Sequence, residues 1–331
     1  MPASQPVLRN RRVTVSAAAR LHLGFLDLGG SLGRRFGSIG IGVNEIVTRL
    51  TLTPADTLSA EGTDADRALR MAERFAAAAG RPCPAHIHVE RAIPSHAGLG
   101  SGTQLALAVG VGLSRLHGLE YGPREVAAMT GRGARSGVGV AVFERGGLVV
   151  DGGRGPRTEV PPLLARLEMP SEWRFLLLLD EGQQGLHGPE ELEAFRTLPP
   201  FPADQAARLC HLLLMQGLPA VAERDLARFG AVVTELQAAV GAYFAPAQGG
   251  CFTSRAVGAA LDFLQGRGAV GIGQSSWGPT GFCLVESDPR AQALLTALRE
   301  RQDLWPGLRF LLATPRNFGA DIAVERGDRP A

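Results

Sequence analysis

The chain has 331 residues, a formal net charge of +2 and 45% hydrophobic residues, enough for two domains with buried cores. This balance argues against a nucleic-acid-binding protein, which usually carries a clustered basic excess, and no apolar run approaches the ~20 residues of a membrane helix. All 34 basic residues are arginine, so no lysine can bind phosphate or act as an acid or base. The cysteines form no CxxC pair and are expected to be buried free thiols of a cytoplasmic protein: Cys83, Cys210, Cys251 and Cys283.

The first half of the chain is predicted to alternate strands and helices around three glycine-rich segments. Strands are expected at 13–17, 45–53, 85–91 and 146–153, and helices at 64–79, 105–117 and 121–130. The first glycine-rich segment covers 20–30 and 36–43, and the other two lie at 94–104 and 131–143. Gly, Pro and Arg residues at 152–162 indicate a domain boundary, which we place at residue 160.

The second half continues the alternation without an internal repeat. Its predicted strands lie at 175–179, 269–273, 281–285 and 308–313. Its predicted helices lie at 190–196, 204–216, 225–240, 257–264 and 289–301. A glycine-rich turn at 274–280 separates two of these strands.

The segment 94–104 is the strongest functional signal in the sequence. A strand pattern leads into it and a buried helix follows it, so its glycines allow close backbone approach at a helix start whose free amides favour anions. Ser101 and Thr103 can cap the helix or contact a phosphate or its metal. The stretch predicts a phosphate site, although a purely structural turn would look similar. A Walker loop is excluded without Gly-Lys-Ser/Thr, so arginine, backbone dipoles or a metal must neutralise the phosphate.

Two segments resemble motifs of the GHMP kinase superfamily. Residues 94–103 are similar to its Pro-x-x-x-Gly-Leu-Gly-Ser-Ser motif, and residues 273–280 to its third motif, a glycine-rich turn. The resemblance implies an α+β, GHMP-kinase-like fold of two domains. These are a ribosomal-protein-S5-like N-terminal domain that binds phosphate, at 1–160, and a ferredoxin-like α/β C-terminal domain, at 161–331.

Within that superfamily the chain is similar to the β-ribofuranosylaminobenzene 5′-phosphate synthase family. The similarity lies in residues 20–27, 96–104, 135–139 and 273–281. It implies a decarboxylating phosphoribosyltransferase that joins phosphoribosyl pyrophosphate (PRPP) to 4-aminobenzoate or 4-hydroxybenzoate, with loss of CO2 and pyrophosphate, in tetrahydromethanopterin biosynthesis. It further implies Mg²⁺, no ATP, no nucleic-acid or membrane partner, and a cytoplasmic homodimer.

The resemblance also suggests which residues form the site. The expected catalytic residues are Arg20, His22, Asp27 and Arg135. The expected ligand-binding residues are Pro94, His96, Gly98, Leu99, Gly100, Ser101, Gly102, Thr103, Gln104, Ser136, Gly137, Ser275, Ser276, Trp277 and Gly278. Simpler roles are open for four of them: a capping aspartate for Asp27, a core histidine for His22, a surface charge for Arg135, and packing for Trp277.

Phosphoryl transfer is disfavoured by the second glycine-rich loop. Kinases of the mevalonate type carry Ser-Gly-x-Asp there, whereas this chain has glycine, Gly139, at the aspartate position. An ATP-dependent GHMP small-molecule kinase and a non-catalytic phosphate-binding member are the alternatives. For metal binding, His86 and His88 share a strand face without a third ligand, which indicates a solvated face. The acids of 180–191, which follow a buried strand, could help hold Mg²⁺.

Overall fold

The computed structural model describes residues 11–326, which form two sheets and ten α-helices. The strands are β1 (Arg11–Asp27), β2 (Phe36–Pro54), β3 (Ser59–Gly62), β4 (Ala85–Arg91), β5 (Leu148–Asp151), β6 (Leu163–Leu167), β7 (Arg174–Asp180), β8 (Val270–Gln274), β9 (Gly281–Val285), β10 (Leu308–Ala313) and β11 (Asp321–Arg326). The helices are α1 (Ala65–Ala78), α2 (Ser101–Leu116), α3 (Pro123–Met129), α4 (Val138–Arg145), α5 (Gly188–Thr197), α6 (Ala203–Leu212), α7 (Leu218–Ala222), α8 (Leu226–Gln248), α9 (Arg255–Gln265) and α10 (Asp288–Arg299). A π-helical turn at Leu213–Gly217 joins α6 to α7, and a 3-10 turn lies at Gln302–Leu304.

The N-terminal sheet is built on a long antiparallel hairpin of β1 and β2. Seven strands take part, in the order β11-β1-β2-β4-β3, with β5 on β2 and β6 on β5. Both strands are longer than the predicted 13–17 and 45–53, because β1 reaches Asp27 and β2 begins at Phe36, so most of the glycine-rich segment lies within the sheet. Glycine serves close packing here: a Cβ on Gly40 would lie 2.4 Å from Cγ1 of Val138, on the helix α4 that covers β2.

The C-terminal sheet has the strand order β10-β7-β9-β8, which is the 4-1-3-2 order of a ferredoxin-like unit when its strands are numbered along the chain. Side chains alternate along β7 as a strand requires. Leu176 and Leu178 belong to the core under α9 and α10, whereas Phe175 and Leu177 face the core shared with α8 and β1. This shared core packs the two domains against each other.

The N-terminal sheet extends past the expected boundary at residue 160. Both β6 and β11 lie later in the chain, yet they pair with β5 and β1. Neither strand is predicted from the sequence, and nor is β3. The expectation of buried thiols holds for Cys83 and Cys283 and is wrong for Cys210 and Cys251, which are exposed. Among residues 11–326, no helix combines the length and apolar character needed to cross a bilayer.

Candidate active site

A cleft of about 740 Å³ lies between the two domains. Its walls come from β1, the β1–β2 loop, the start of α2, the loops at 131–136 and 154–156, and α5. Five arginines line it: Arg20, Arg35, Arg132, Arg135 and Arg154. The single carboxylate among the lining residues is Glu191. A cleft with this charge suits a ligand that carries several negative charges.

The start of α2 forms one end of this cleft. Gly98 and Gly100 have φ values of 76° and 83°, which favour glycine, and no side chain in the described part of the chain caps the helix. The first amides of α2 are therefore available to an anion, as helix starts commonly are. Arg20 borders the same turn: its amide donates to the Leu99 carbonyl at 3.2 Å and its guanidinium donates to the Gly98 carbonyl.

Further arginines surround the helix start. A Cβ added at Gly102 would lie 3.2 Å from Nη1 of Arg132 and 3.7 Å from Nη2 of Arg67. Burial and the neighbouring Arg74 and Arg67 charges lower the pKa of Arg132. Burial lowers the pKa of Arg20 to about 10, against the opposing charge of Glu191. Since this value lies above neutral pH, Arg20 keeps its charge and adds to the field of the helix.

The third motif connects the phosphate loop to β1. Ser275 Oγ donates to the Gly98 carbonyl at 2.7 Å and accepts the His22 amide at 2.9 Å. Only glycine fits at 98, because a Cβ there would lie 2.1 Å from the Ser275 carbonyl oxygen. Ser275 is fully buried, so its role is to join the two domains behind the cleft, whereas the adjacent Ser276 lines the cleft.

His22 is a buried polar side chain that lines the cleft. It is 2% exposed, and within residues 11–326 neither ring nitrogen has a hydrogen-bond partner. Its ring lies 4.6 Å from that of Phe25, centroid to centroid. Burial, and then the charge of Arg20, lower its pKa well below the ordinary value. His22 is therefore a neutral imidazole, in which one ring nitrogen can donate a hydrogen bond and the other can accept one.

The second glycine-rich loop is held by Asp151. Its carboxylate accepts hydrogen bonds from the Gly137 amide at 2.8 Å, the Gly153 amide at 2.9 Å and Ser136 Oγ at 3.3 Å. Burial raises the pKa of Asp151, and these donors oppose the shift. At 139, a Cβ would lie 3.0 Å from Cγ2 of Thr103, which is tighter than normal contact. Thr103 would therefore have to shift for a side chain at 139 to fit.

An aromatic wall lies beside two of the arginines, with Arg35 Cζ 5.4 Å from the Phe36 ring centroid and Arg135 Cζ 5.5 Å from that of Phe195. Phe25, Phe36 and Phe195 all line the cleft and meet with ring centroids 5.7 to 6.2 Å apart, distances typical of aromatic pairs. Glu191, on the same helix as Phe195, accepts from Arg135 at 2.6 Å and from Trp277 Nε1 at 3.1 Å. Burial raises the pKa of Glu191, and Arg135 opposes the shift.

The predicted site residues divide into three groups. Six of them line the cleft: Arg20, His22, Thr103, Arg135, Ser136 and Ser276. A second group adjoins it or lies behind it in the phosphate loop, the second loop and the third motif: Gly98, Leu99, Gly100, Ser101, Gly102, Gln104, Gly137, Ser275, Trp277 and Gly278. Trp277 packs 4.1 Å from the Phe244 ring, and Gln104 donates to the Gly139 carbonyl at 2.8 Å.

Like the second group, the third group is not among the residues that line the cleft, and its members make separate local contacts. Asp27 Oδ1 accepts from the amides of Gly29 and Gly30 at 2.9 and 2.7 Å, the capping role that the sequence left open. Pro94 and His96 precede the glycine turn, and the His96 ring lies 3.7 Å from that of His187, centroid to centroid, with the two planes tilted by 33°. Burial, and then His187, lower the pKa of His96.

The described residues form no cluster of metal-ligating side chains for the expected Mg²⁺ ion. Between residues 11 and 326, no three His, Cys, Asp or Glu side chains come together as metal ligands. Asp180 accepts from Ser254 Oγ at 2.6 Å, and Glu181 pairs with Arg309 at 3.2 Å. His86 and His88 both contact Glu61, at 3.3 and 3.0 Å, on a partly exposed face, as expected for a solvated strand.

Several cleft residues are missed by the sequence reasoning: Arg35, Arg132, Arg154, Phe36 and Phe195. One signal could have found the arginines. Arg132 and Arg154 each have glycine on both sides, and Arg35 follows Gly33 by two residues. An arginine inside a glycine turn has little side-chain packing around it and is free to face a ligand.

The comparisons with known proteins agree with this architecture. Residues 66–147 match the family model "GHMP kinases N terminal domain" and residues 218–303 match "GHMP kinases C terminal". The beta-ribofuranosylphenol 5′-phosphate synthases of Methanothermobacter thermautotrophicus and Archaeoglobus fulgidus are 32% and 34% identical to this chain. In both cases 92% of this chain is covered, with 97% and 98% of the relative. The chain belongs to this synthase family.

The fold is likewise that of the superfamily. Mevalonate diphosphate decarboxylase from Staphylococcus aureus superposes with a TM-score of 0.68 at 14% identity, over 96% of this chain and 99% of that one. The expected GHMP-kinase-like α+β fold is thus confirmed. Membership in a family of synthases also confirms the prediction of an enzyme, whereas the roles of its individual residues stay predictions.

Proposed function

We propose that this enzyme joins the anomeric carbon of PRPP to an aromatic acid, with loss of pyrophosphate and CO2, to give a β-ribofuranosyl-arene 5′-phosphate. The observation that carries the proposal is the cleft, which is lined by five arginines and by phenylalanines and is bordered by an uncapped helix start. The arginines and the helix start suit the negative charges of a phosphorylated sugar diphosphate, and the phenylalanines suit the ring of a benzoate. The relatives are named for a phenol product, so 4-hydroxybenzoate is the proposed acceptor ahead of 4-aminobenzoate.

The cationic end of the cleft would bind the departing pyrophosphate. As the bond to the anomeric carbon breaks, negative charge grows on the leaving group and positive charge grows on the ribose. Arg20, Arg132 and the α2 amides lie around one point, and fixed donors of this kind stabilise developing charge without reorganisation. No covalent nucleophile is needed for this substitution.

The aromatic wall would orient the acceptor ring. Packing between Phe25 and Phe195 excludes water and presents the ring carbon that carries the carboxylate to the anomeric carbon. After the new bond forms, CO2 leaves and aromaticity returns. His22 stays uncharged beside this point, so it can hydrogen-bond the substrates without attracting and stabilising the carboxylate that must be lost.

In this proposal Mg²⁺ binds as a complex with the substrate. Because the described carboxylates form no cage, Mg²⁺ would accompany the pyrophosphate of PRPP, as it usually does with phosphate ligands. The role in tetrahydromethanopterin biosynthesis, the homodimer and the cytoplasmic location stay predictions.

The proposal is tested by incubating the protein with PRPP, Mg²⁺ and either 4-hydroxybenzoate or 4-aminobenzoate, and measuring pyrophosphate and CO2. We expect both products in equal amounts, with the faster reaction for 4-hydroxybenzoate. A parallel assay offers ATP with homoserine, mevalonate or galactose. ADP formation there, with no pyrophosphate from PRPP, would establish the kinase alternative. Ligand binding without turnover in either assay would establish the non-catalytic one.

A further inference from the structure

Two arginines meet at the end of the cleft remote from α2. The Arg35 amide donates to the Arg154 carbonyl at 2.9 Å, and the Arg154 amide donates to the Arg35 carbonyl at 2.8 Å. This bridge fastens the β1–β2 loop to the loop after β5, and both side chains line the cleft. We propose that Arg35 and Arg154 form a second phosphate subsite, which binds the 5′-phosphate of the ribosyl substrate. This inference rests on the proposed function.

The backbone around the two arginines is fixed by specific contacts. Gly153 has a φ of 63°, and a Cβ on it would lie 2.3 Å from the Arg35 carbonyl oxygen. Gly30 leaves room for the Arg35 side chain, since a Cβ there would lie 2.3 Å from Arg35 Cγ. Arg34 donates to the Gly152 and Gly153 carbonyls, both at 2.8 Å. Arg34 therefore holds the loop. Arg35 Nε also donates to a backbone carbonyl, that of Leu28 at 3.2 Å, while Arg35 and Arg154 both line the cleft.

The charges of these two arginines are available to a ligand. Arg135 already has the carboxylate of Glu191 at 2.6 Å. Within residues 11–326, in contrast, no carboxylate forms an ion pair with Arg35 or Arg154. Both are exposed at the mouth of the cleft, where two guanidinium groups can together present a fork of donors to a phosphate.

The position of the pair fits a ligand with a phosphate at each end. Arg20, at the α2 end, is on β1, and Arg35 adjoins Phe36, which pairs with Asp27 at the other end of β1. Arg20 and Asp27 are about 23 Å apart along the strand at 3.3 Å per residue. Because the arginine side chains enter the cleft from both ends, the distance between their guanidinium groups is shorter than this backbone distance. PRPP carries its pyrophosphate and its 5′-phosphate on opposite sides of the ribose.

The carboxylate of the aromatic acid is the other anion that could bind here, and the chemistry disfavours it. The carboxylate loses its charge as CO2, so an arginine pair on it would stabilise the ground state and slow the reaction. The 5′-phosphate keeps its charge throughout. An arginine pair on the 5′-phosphate therefore adds affinity without opposing the chemical step.

Calorimetric titration with separate fragments of the substrate tests the subsite. The ligands are ribose 5-phosphate, inorganic pyrophosphate and 4-hydroxybenzoate. The proteins are the wild type, the double variant Arg35→Gln/Arg154→Gln, and Arg157→Gln as an exposed control outside the cleft. We expect the double variant to bind ribose 5-phosphate roughly tenfold or more weakly, with pyrophosphate binding unchanged and the control like the wild type.

Three results would overturn the subsite: unchanged affinity for ribose 5-phosphate, an equal loss for ribose 5-phosphate and pyrophosphate, or a loss confined to 4-hydroxybenzoate. Steady-state kinetics keeps this question apart from the proposed function. If the wild type forms product and the double variant keeps its KM for PRPP, the subsite is wrong and the function stands. If the wild type forms no product yet binds ribose 5-phosphate through the two arginines, the function is wrong and the subsite stands.

Discussion

The two domains contribute opposite chemistry to the cleft. All five arginines that line it precede residue 160, whereas the one lining carboxylate, Glu191, and the ring of Phe195 come from the later part of the chain. The N-terminal side supplies cations on glycine turns and an uncapped helix start. The C-terminal side supplies an acid that neutralises one arginine, and apolar surface. Anion binding thus belongs to one domain and is limited by the second, whereas the aromatic wall is shared, with Phe25 and Phe36 on β1 and β2 and Phe195 on α5.

The largest effect is expected from removing one cation of the N-terminal side. We expect Arg132→Gln to lower kcat/KM for PRPP by about 10²- to 10³-fold, the usual loss for one fixed donor to developing charge. Thermal stability should be unchanged or slightly higher, because the Arg67 and Arg74 charges already oppose that of Arg132. Arg208→Gln, which removes an exposed ion pair with Glu235, is the matched control. A loss below about threefold would place pyrophosphate elsewhere.

A methyl group at the helix start tests the same side without a change of charge. Gly102→Ala would direct its Cβ at the space between Arg132 and Arg67, where the anion is proposed to lie. We expect pyrophosphate to bind about 10- to 100-fold more weakly, while the free energy of unfolding rises by up to about 1 kcal/mol, since alanine favours a helix. Calorimetry and thermal melts measure the two quantities. Gly266→Ala, at a helix end remote from the cleft with no Cβ contact below 3.6 Å, is the control.

Sequence patterns predict the parts of this site that are local. The glycine turn at 94–104 and the helix after it are visible because the signal lies within a few neighbouring residues. The Arg35–Arg154 bridge and the bond from Ser275 to Gly98 join segments that are far apart in the chain, and no local pattern contains them. The long β1–β2 hairpin was missed for a different reason, since its packing glycines resemble loop glycines in sequence.

The contact between the domains is tested by the Arg135–Glu191 pair. Both side chains are at least partly buried, with 35% and 16% exposure. In a double-mutant cycle of Arg135→Gln and Glu191→Gln, we expect a coupling energy of about 1 kcal/mol in stability. Glu191→Gln alone should lower KM for PRPP and make it more sensitive to salt, because it releases a cation into the cleft. A KM that rises would show that Glu191 itself contacts substrate.

The smallest effect concerns His22, which lies where the cationic end meets the aromatic wall. Its pKa is lowered in the folded protein by burial and by Arg20, so below pH 6.5 the unfolded chain binds protons that the folded protein does not. Stability should therefore fall as the pH drops below 6.5 and be level above it, with a slope no greater than about 1.4 kcal/mol per pH unit for one proton.

Thermal melts from pH 5 to 8 should show a shallower dependence of stability on pH for both His22→Phe and His22→Gln than for the wild type. The lowered pKa values of His96 and His117 leave a residual slope, and the exposed His211→Gln is the control. An undiminished slope in both His22 variants would mean that the imidazole is charged in the folded protein, and that His22 belongs with the arginines as an anion ligand.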